Sequence, residues 1–275
     1  MALSVNTNSG ALIALQNLTS TESQLGKAQN QVSTGLAISS AKDNGAIWAI
    51  AQNQRSSSTA LDSVKQSLQR VQSTVDVATS AGTSVSDLLN QLKSTALSAT
   101  DTSIDTQSRL ALNTNFTQLV KQVQNVITNA SFNGANLLNG SVSNLQALAS
   151  SDGKNHLTVA AQTLNLGGSI ITLSATQTIS TAGTASAALT AINSSISNVN
   201  NSLATLGASS NSLTSQLTFV STLQDTIDQG VGNLVDANLA KESAQLQALQ
   251  TKQSLGIQAL SIANSSSSSL LSLFR

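Results

Sequence analysis

Apolar residues spaced alternately three and four apart run through the longest regular stretches of this chain, and that spacing constrains the fold more than any single residue does. The first run reads Leu61, Val64, Leu68, Val71, Val75, Ala78, and continues Val85, Leu89, Leu92, Ala96, Ala99, with Gly82 its one interruption. A 3.5-residue repeat keeps one seam turned toward a partner helix, as in coiled-coil-like bundles. A shorter run follows at Leu112, Phe116, Leu119, Val123, Val126 and Ala130, with Asp101 and Asp105 near its expected start. Carboxylates there favour the positive end of a helix dipole. The third run is Ala185, Leu189, Ile192, Ile196, Val199, Leu203, Leu206, then Leu213, Leu217, Val220, Ile227, Val231 and Leu234, with Ser210 and Gln224 as polar exceptions. As one helix it would be roughly 75 Å long, which suits a rod better than a globule. Proline is absent from the chain, so its commonest helix breaker is missing. Val64, Leu68, Val71, Val75, Leu89, Leu92 and Ile196 are therefore expected in the seam of a helical rod.

Between Ala130 and Ala182 the pattern changes. Asn133-Gly134, Asn139-Gly140, Asp152-Gly153 and Gly167-Gly168 are turn signals, and the segments Leu157 to Ala161 and Ser169 to Ser174 are short and rich in β-branched residues. They read as a small β-hairpin. The expected fold is mainly α: an elongated coiled-coil-like helical bundle with paired terminal helices and a small β-hairpin element near the middle of the chain.

The two ends differ from the rest. Leu3, Leu12, Leu15, Leu18, Leu25, Val32 and Leu36 form an apolar stripe with almost no charge opposite it. Leu239, Leu246, Leu249, Leu255, Ile257, Leu260, Ile262, Leu270, Leu271 and Leu273 do the same at the other end. A two-helix hairpin this apolar would leave much surface wet if it stood alone, and burying ~1,000 Å² of such surface is worth about 25 kcal/mol before entropic costs. The ends are expected to order by packing against copies of the same protein. A contact between different faces that does not close on itself generates a helical filament.

Charge argues against other function classes. Twelve basic and twelve acidic residues balance, so there is no basic footprint for nucleic acid and no polybasic membrane anchor. No run approaches the ~18 apolar residues of a membrane span. Cysteine is absent, which removes disulfides and thiolate metal sites. The N-terminal segment, interrupted by Asn6, Asn8, Gln16 and Asn17, is not a secretory signal. His156 is the single histidine and has no His or Cys with which to build a metal or general-base site, so it reads as an exposed loop residue. Asp101 with Asp105, and Asp225 with Asp228, read as helix-end or solvated carboxylates. Gly230-Val231-Gly232 lacks the third glycine and preceding strand of a dinucleotide loop. No cofactor, metal or catalytic residue is expected, and the chain does not read as an enzyme.

Four segments then carry a resemblance. They are Ser4-Val5-Asn6-Thr7-Asn8 with Ala11-Leu12; the stretch from Ser33-Thr34-Gly35-Leu36 through Ala37-Ile38-Ser39-Ser40-Ala41-Lys42-Asp43-Asn44; Ser131-Phe132-Asn133-Gly134 with Leu137-Leu138; and the ending Leu271-Ser272-Leu273-Phe274-Arg275. In order and position they resemble the bacterial flagellins, over most of residues 1–140 and 182–275. The resemblance implies a structural subunit that self-assembles into the extracellular flagellar filament and leaves the cell through the type III export apparatus. The alternative is a hook–filament junction protein of the same export system. Implied partners are further copies of the chain, an export chaperone that holds the C-terminal helix, and the filament cap and junction proteins.

The resemblance also divides the chain. Residues 1–40 and 235–275 become helices of an inner filament core, packed through Leu3, Leu12, Leu15, Leu18, Leu25, Val32, Leu246, Leu249, Leu260, Leu270, Leu273 and Phe274. Residues 41–140 and 182–234 become the two halves of a helical rod domain, and residues 141–181 a short variable hairpin region. Ser40, Lys42, Asp43 and Asn44 become a joint between layers, which Trp48 either anchors or merely neighbours as core filling. A protease-bearing insertion, found in some flagellins, has no room here and no His-Glu-x-x-His. The stretch Asn90-Gln91-Leu92-Lys93-Ser94-Thr95-Ala96-Leu97 keeps one cation and no carboxylate. It departs from the Arg- and Glu-bearing patch of flagellins recognised by the vertebrate innate receptor.

Overall fold

A computed structural model describes the backbone of residues 7–272 and the side chains of residues 7–265. Its elements are helices α1 (Ser9–Thr34), α2 (Gly45–Thr100) and α3 (Thr106–Asn129), strands β1 (Asn144–Leu148) and β2 (His156–Ala160), and helices α4 (Ala182–Val235) and α5 (Leu239–Ser272). The mainly α class with one small antiparallel hairpin is what the periodicity implies. Two compact units are formed: residues 57–225, and the two ends, up to residue 56 and from residue 226.

In the 57–225 unit every apolar seam residue named on α2, from Leu61 to Ala99, is buried. Gly82 completes the stripe. A Cβ built on it would come within 2.8 Å of Leu203 Cδ2, so the gap in the apolar repeat is the place where a leucine of α4 comes in close. The other polar interruptions are explained in the same way. Gln72 Nε2 donates to Ser210 Oγ at 2.7 Å. Lys65 Nζ donates to Gln224 Oε1 at 2.5 Å, and Gln224 Nε2 donates to Asp62 Oδ1 at 3.0 Å and Ser58 O at 3.3 Å. These pairs run in opposite sequence directions, so α2 and α4 are antiparallel.

On α4 the buried stripe is centred slightly away from the expected one. Ala185, Ile192, Val199, Leu206, Leu213 and Val220 are buried, flanked by buried Ala188, Ser195 and Ser202. Leu189, Ile196 and Leu203 are half-buried at its edge. The serines belong to the core because the chain after the hairpin lies along this face. Ser195 Oγ donates to Ala191 O and accepts from Thr172 N at 3.0 Å. Asn198 Nδ2 donates to Ser169 O and Ile170 O. The segment from Ser169 to Ser174, expected as a strand, thus gives its backbone groups to helix side chains and forms one isolated bridge, Leu166 to Ile171. The true partner of β2 is β1, in register Asn144–Ala160 to Leu148–His156, closed around Asp152-Gly153. His156 is exposed at the start of β2. The hairpin is fixed by Leu148 N donating to Ser67 Oγ of α2 and by Gln216 Nε2 of α4 donating to Ala149 O.

Helix ends are tied by side chains. Asp105 is the N-cap of α3, its carboxylate accepting from Ser108 N at 2.7 Å. Arg109 closes the end of α2 by donating to Ala99 O and Asp101 O. Buried Asn136 does most at the far end of α3: its Nδ2 donates to Ile127 O at 2.8 Å and Thr128 O, while Oδ1 accepts from Leu138 N at 2.8 Å and Asn139 N. Those bonds hold Leu137 and Leu138 in the core. The Asn136→Ala variant leaves buried backbone groups unpaired, and its urea unfolding should show a loss of about 1–3 kcal/mol; an unchanged midpoint would contradict this account of the cap.

Candidate assembly surface and joint

The terminal unit is built on α1 and α5. Asn8 starts α1, its Oδ1 accepting from Ala11 N at 3.0 Å, and its Nδ2 reaches across to Ala263 O at 2.8 Å. Gly256 faces Leu18, and Leu25 and Ala28 pack with Leu249 and half-buried Leu246. The contacts step oppositely along the two helices, so the pair is antiparallel. Among the described side chains very little of it is buried. On α1 the buried residues are Thr21, Leu25 and Ala28. Large apolar side chains face outward instead: Leu12 and Ile13 are each 59% exposed, Leu255 59% and Ile262 69%, with Leu15, Leu239 and Ile257 about as open. Charge is confined to Glu22, Lys27, Lys241, Glu242 and Lys252 over the two helices.

Beside this pair lies a joint made of the two connecting segments. Gly35, at φ 72°, ends α1 in the left-handed conformation that glycine accepts most readily, its N–H bonded to Gln31 O. The chain then pairs with the α4–α5 connection: Ala37 N donates to Val235 O at 2.7 Å and Ala237 N donates to Gly35 O at 2.8 Å. Gln31 Nε2 bonds Ala37 O from the helix side. Beneath them Ala51, Val231 and Val235 form a small core with Leu36, Ile38, Ile47 and Ile227.

One carboxylate oxygen organises the loop. Asp43 Oδ2 accepts from the backbone N–H and the hydroxyl of both Ser39 and Ser40, at 3.0–3.1 Å. These bonds, the Ser39 hydroxyl first, hold the Asp43 carboxyl below its ordinary pKa against a smaller opposing effect of desolvation. Asn44 then caps α2 through Ile47 N, and Asn238 caps α5 through Lys241 N. The arrangement offers rigid backbone, a tied carboxylate and apolar surface. Among the described residues no group of three or more His, Cys, Asp or Glu side chains could hold a metal.

Comparison with known proteins agrees with this geometry. The family model for the bacterial flagellin N-terminal helical region matches residues 5–143, and that for the C-terminal helical region matches residues 189–274. The chain belongs to the flagellin family. Flagellins are structural proteins of the extracellular flagellar filament, not enzymes. Flagellin FljO of Caulobacter vibrioides is 55% identical over the whole of both chains. A flagellin of Brucella melitensis is 39% identical over 99% of both. Two solved structures share the fold at lower identity. Bacillus cereus flagellin has a TM-score of 0.50 at 20% identity, covering 56% of this chain and 88% of its own. A putative flagellar hook-associated protein from Vibrio parahaemolyticus has a TM-score of 0.58 at 15% identity, covering 70% and 100%. The whole-length relatives favour the filament flagellin over the junction-protein alternative.

Of the residues expected to pack the flagellin inner core, Leu25 and Leu249 are buried against each other, Leu18, Val32, Leu246 and Leu260 are half-buried, and Leu12 and Leu15 are exposed. Leu3, Leu273 and Phe274 lie outside the described residues, as does the side chain of Leu270. At the joint Ser40, Asp43 and Asn44 make the bonds above, whereas Lys42 is exposed and Trp48 half-buried outside the small core. The opposing Val235 and Ala237 carry no local signal of pairing, because their partners lie some two hundred residues away in the chain.

Because the Asp43 pKa is lowered on folding, its contribution is fully present above the unfolded carboxylate value of about 3.9 and is lost as pH falls through the lower folded value. Exchange of the Ser39 and Ser40 amides should therefore accelerate, relative to other joint amides, as pH drops through that window. In Asp43→Asn the acceleration should already be present at neutral pH. A pH-independent ratio in the native protein would show that the carboxylate does not hold the loop.

Proposed function

We propose that the outward apolar faces of α1 and α5 are the surfaces through which this flagellin packs against copies of itself in the filament core. The observation that carries the reading is that few apolar side chains are buried within the pair among the described residues, set against seven large apolar ones left open upon it. In this reading residues 1–40 and 235–275 form the inner layer, and residues 41–140 with 182–234 form the rod outside it. The hairpin region, 141–181, is the short variable part. The bridged segments around Gly35 and Val235, with the Asp43 loop, set the angle at which the chain passes from one layer to the other. The seam of α2 and α4 stiffens the subunit and makes few demands on its neighbours.

The same open face suggests why a subunit would need a cytoplasmic export chaperone. Before assembly, α5 presents Leu255, Ile257 and Ile262 to solvent, and a chaperone groove that covered them would keep subunits apart. Filament cap and junction proteins would meet the same terminal helices at the ends of the polymer.

Full or partial burial of one Leu or Ile is worth roughly 1–3 kcal/mol, so Leu12→Asp, Ile257→Asp or Ile262→Asp should raise the critical concentration for seeded polymerisation at least about fivefold. The folding of the 57–225 unit should be unaffected. Long filaments of normal yield from all three variants, seen by electron microscopy, would rule out the packing role. If the native protein gave only short rings from filament seeds, the junction-protein reading would replace it. By hydrogen exchange, amides of α1 and α5 should exchange quickly in monomers and become protected in filaments; equal protection in monomers would mean the pair is stable alone.

A further inference from the structure

Three Asn-Gly pairs occur in the chain: Asn44-Gly45, Asn133-Gly134 and Asn139-Gly140. Any such pair is chemically labile, since a glycine nitrogen unshielded by a Cβ can reach the preceding side-chain amide carbon. The fold treats the three differently. Asn44 has its Oδ1 engaged by Ile47 N and its carbonyl by Trp48 N, at the start of α2. Asn139 has its Oδ1 engaged by Ser141 N and its carbonyl by Asn165 Nδ2, with Thr163 against Gly140. At both, the amide carbon is fixed by hydrogen bonds that must break before it can be attacked.

Asn133 is different. Its side chain is exposed and makes no hydrogen bond among the described residues, and the space around Gly134 is open. The two residues form the middle of a tight turn closed by Phe132 N to Ala135 O and Ala135 N to Phe132 O, in which the Gly134 N–H takes no part. Asn133 has φ 49° and Gly134 φ 80°. Both lie in the left-handed region, which glycine and asparagine enter most readily, and two backbone bonds alone hold this surface turn.

We propose that Asn133 is a site of spontaneous deamidation in the folded protein. The Gly134 backbone nitrogen attacks Asn133 Cγ and forms the C–N bond of a succinimide. The Cγ–Nδ2 bond breaks, and the side-chain nitrogen leaves as ammonia with the proton given up by Gly134. Water then opens the ring at either carbonyl, to aspartate or isoaspartate. Aspartate is compatible with the turn, since it tolerates the left-handed region as asparagine does, and it would place its charge in a cleft also lined by Arg70. Isoaspartate adds a methylene to the backbone of a two-residue turn and cannot keep both closing bonds. It would thereby displace Asn136, which caps α3 three residues on.

The test is peptide mapping by mass spectrometry, with isoaspartyl methyltransferase labelling, of full-length protein aged in mildly alkaline buffer, folded and in urea. In the folded protein Asn133 should convert roughly tenfold or more faster than Asn44 and Asn139, because only those two must first lose a hydrogen bond. In urea the three should convert at similar rates. Equal protection of all three in the folded protein would overturn the proposal, as would the same ranking in urea, which would trace it to sequence and not to the fold. Asn133→Asp supplies the reference mass and should be labelled at this turn far more slowly than the native protein, because a carboxylate is a poorer electrophile than an amide.

Discussion

Two helices of more than fifty residues that pack through a repeating apolar seam need something besides apolar contact to choose their register. A seam of leucine, valine and alanine looks much the same to its partner after a slide of one heptad. Here the choice is made where the seam is interrupted. Leu203 comes in close over Gly82, and a slide of one heptad would set it against Val75 or Leu89. Gln72 finds Ser210, and Gln224 finds Lys65, Asp62 and Ser58. Out of register Gln224 would lose all three partners, at about 1–3 kcal/mol, and Gln72 would keep only Asp76 of its own helix. The hairpin spans the same two helices through Ser67 and Gln216, so it too can form only in this register. The polar exceptions are thus the most informative positions of the seam.

The ends of the helices follow a second rule: short polar side chains replace the missing helix bonds and simultaneously steer the next segment. Asn136 pairs the last carbonyls of α3 with the backbone of Leu138 and Asn139, so stopping the helix and burying Leu137 and Leu138 are one event. Asp43 gathers Ser39 and Ser40 just before Asn44 starts α2. Both devices are local in sequence. The bridge from Gly35 and Ala37 to Val235 and Ala237 is not, and it forms only once both chain halves have arrived. A joint built from main-chain bonds and one tied carboxylate depends little on which apolar side chains pack near it.

This division explains how much was legible in the sequence. The α2 seam could be read residue by residue, because large apolar side chains at heptad spacing have one sensible place to go. The α4 seam was harder. Ser195 and Ser202 are buried because Thr172 and its neighbours lie across them, and a serine's burial follows from partners distant in sequence. For the same reason Ile196, expected in the seam, sits at its edge. Strand β1, with the helix-tolerant sequence Asn144-Leu145-Gln146-Ala147-Leu148, gave no β signal. Its extended form is imposed by pairing with β2 and by burial of Ala147, an instance of tertiary context overriding propensity. At the joint the motif names the residues of the Asp43 loop but not the bonds they make. The donors to Asp43 are the serine hydroxyls and amides just before it, not the neighbouring Lys42.

The terminal pair follows neither rule, and that contrast bears on its role. It has small residues for close approach at Gly256 and Ala28, and a cross-helix polar bond from Asn8 to Ala263. It lacks the dense buried stripe of α2 and α4. Ordering a residue costs about 1–2 kcal/mol, and one fully buried leucine returns about 1.5–3. Helices of 26 and 34 residues with so few buried side chains therefore gain much from any further surface that covers them. A soluble partner of fixed shape would cover one face. The open residues of α1 and α5 recur at Leu12, Ile13 and Leu15 and at Leu255, Ile257 and Ile262, too widely around the helices for a single flat contact. Surroundings that cover several faces at once are what neighbouring copies in a helical lattice supply, and the sparse charge on these helices leaves little repulsion to oppose such crowding.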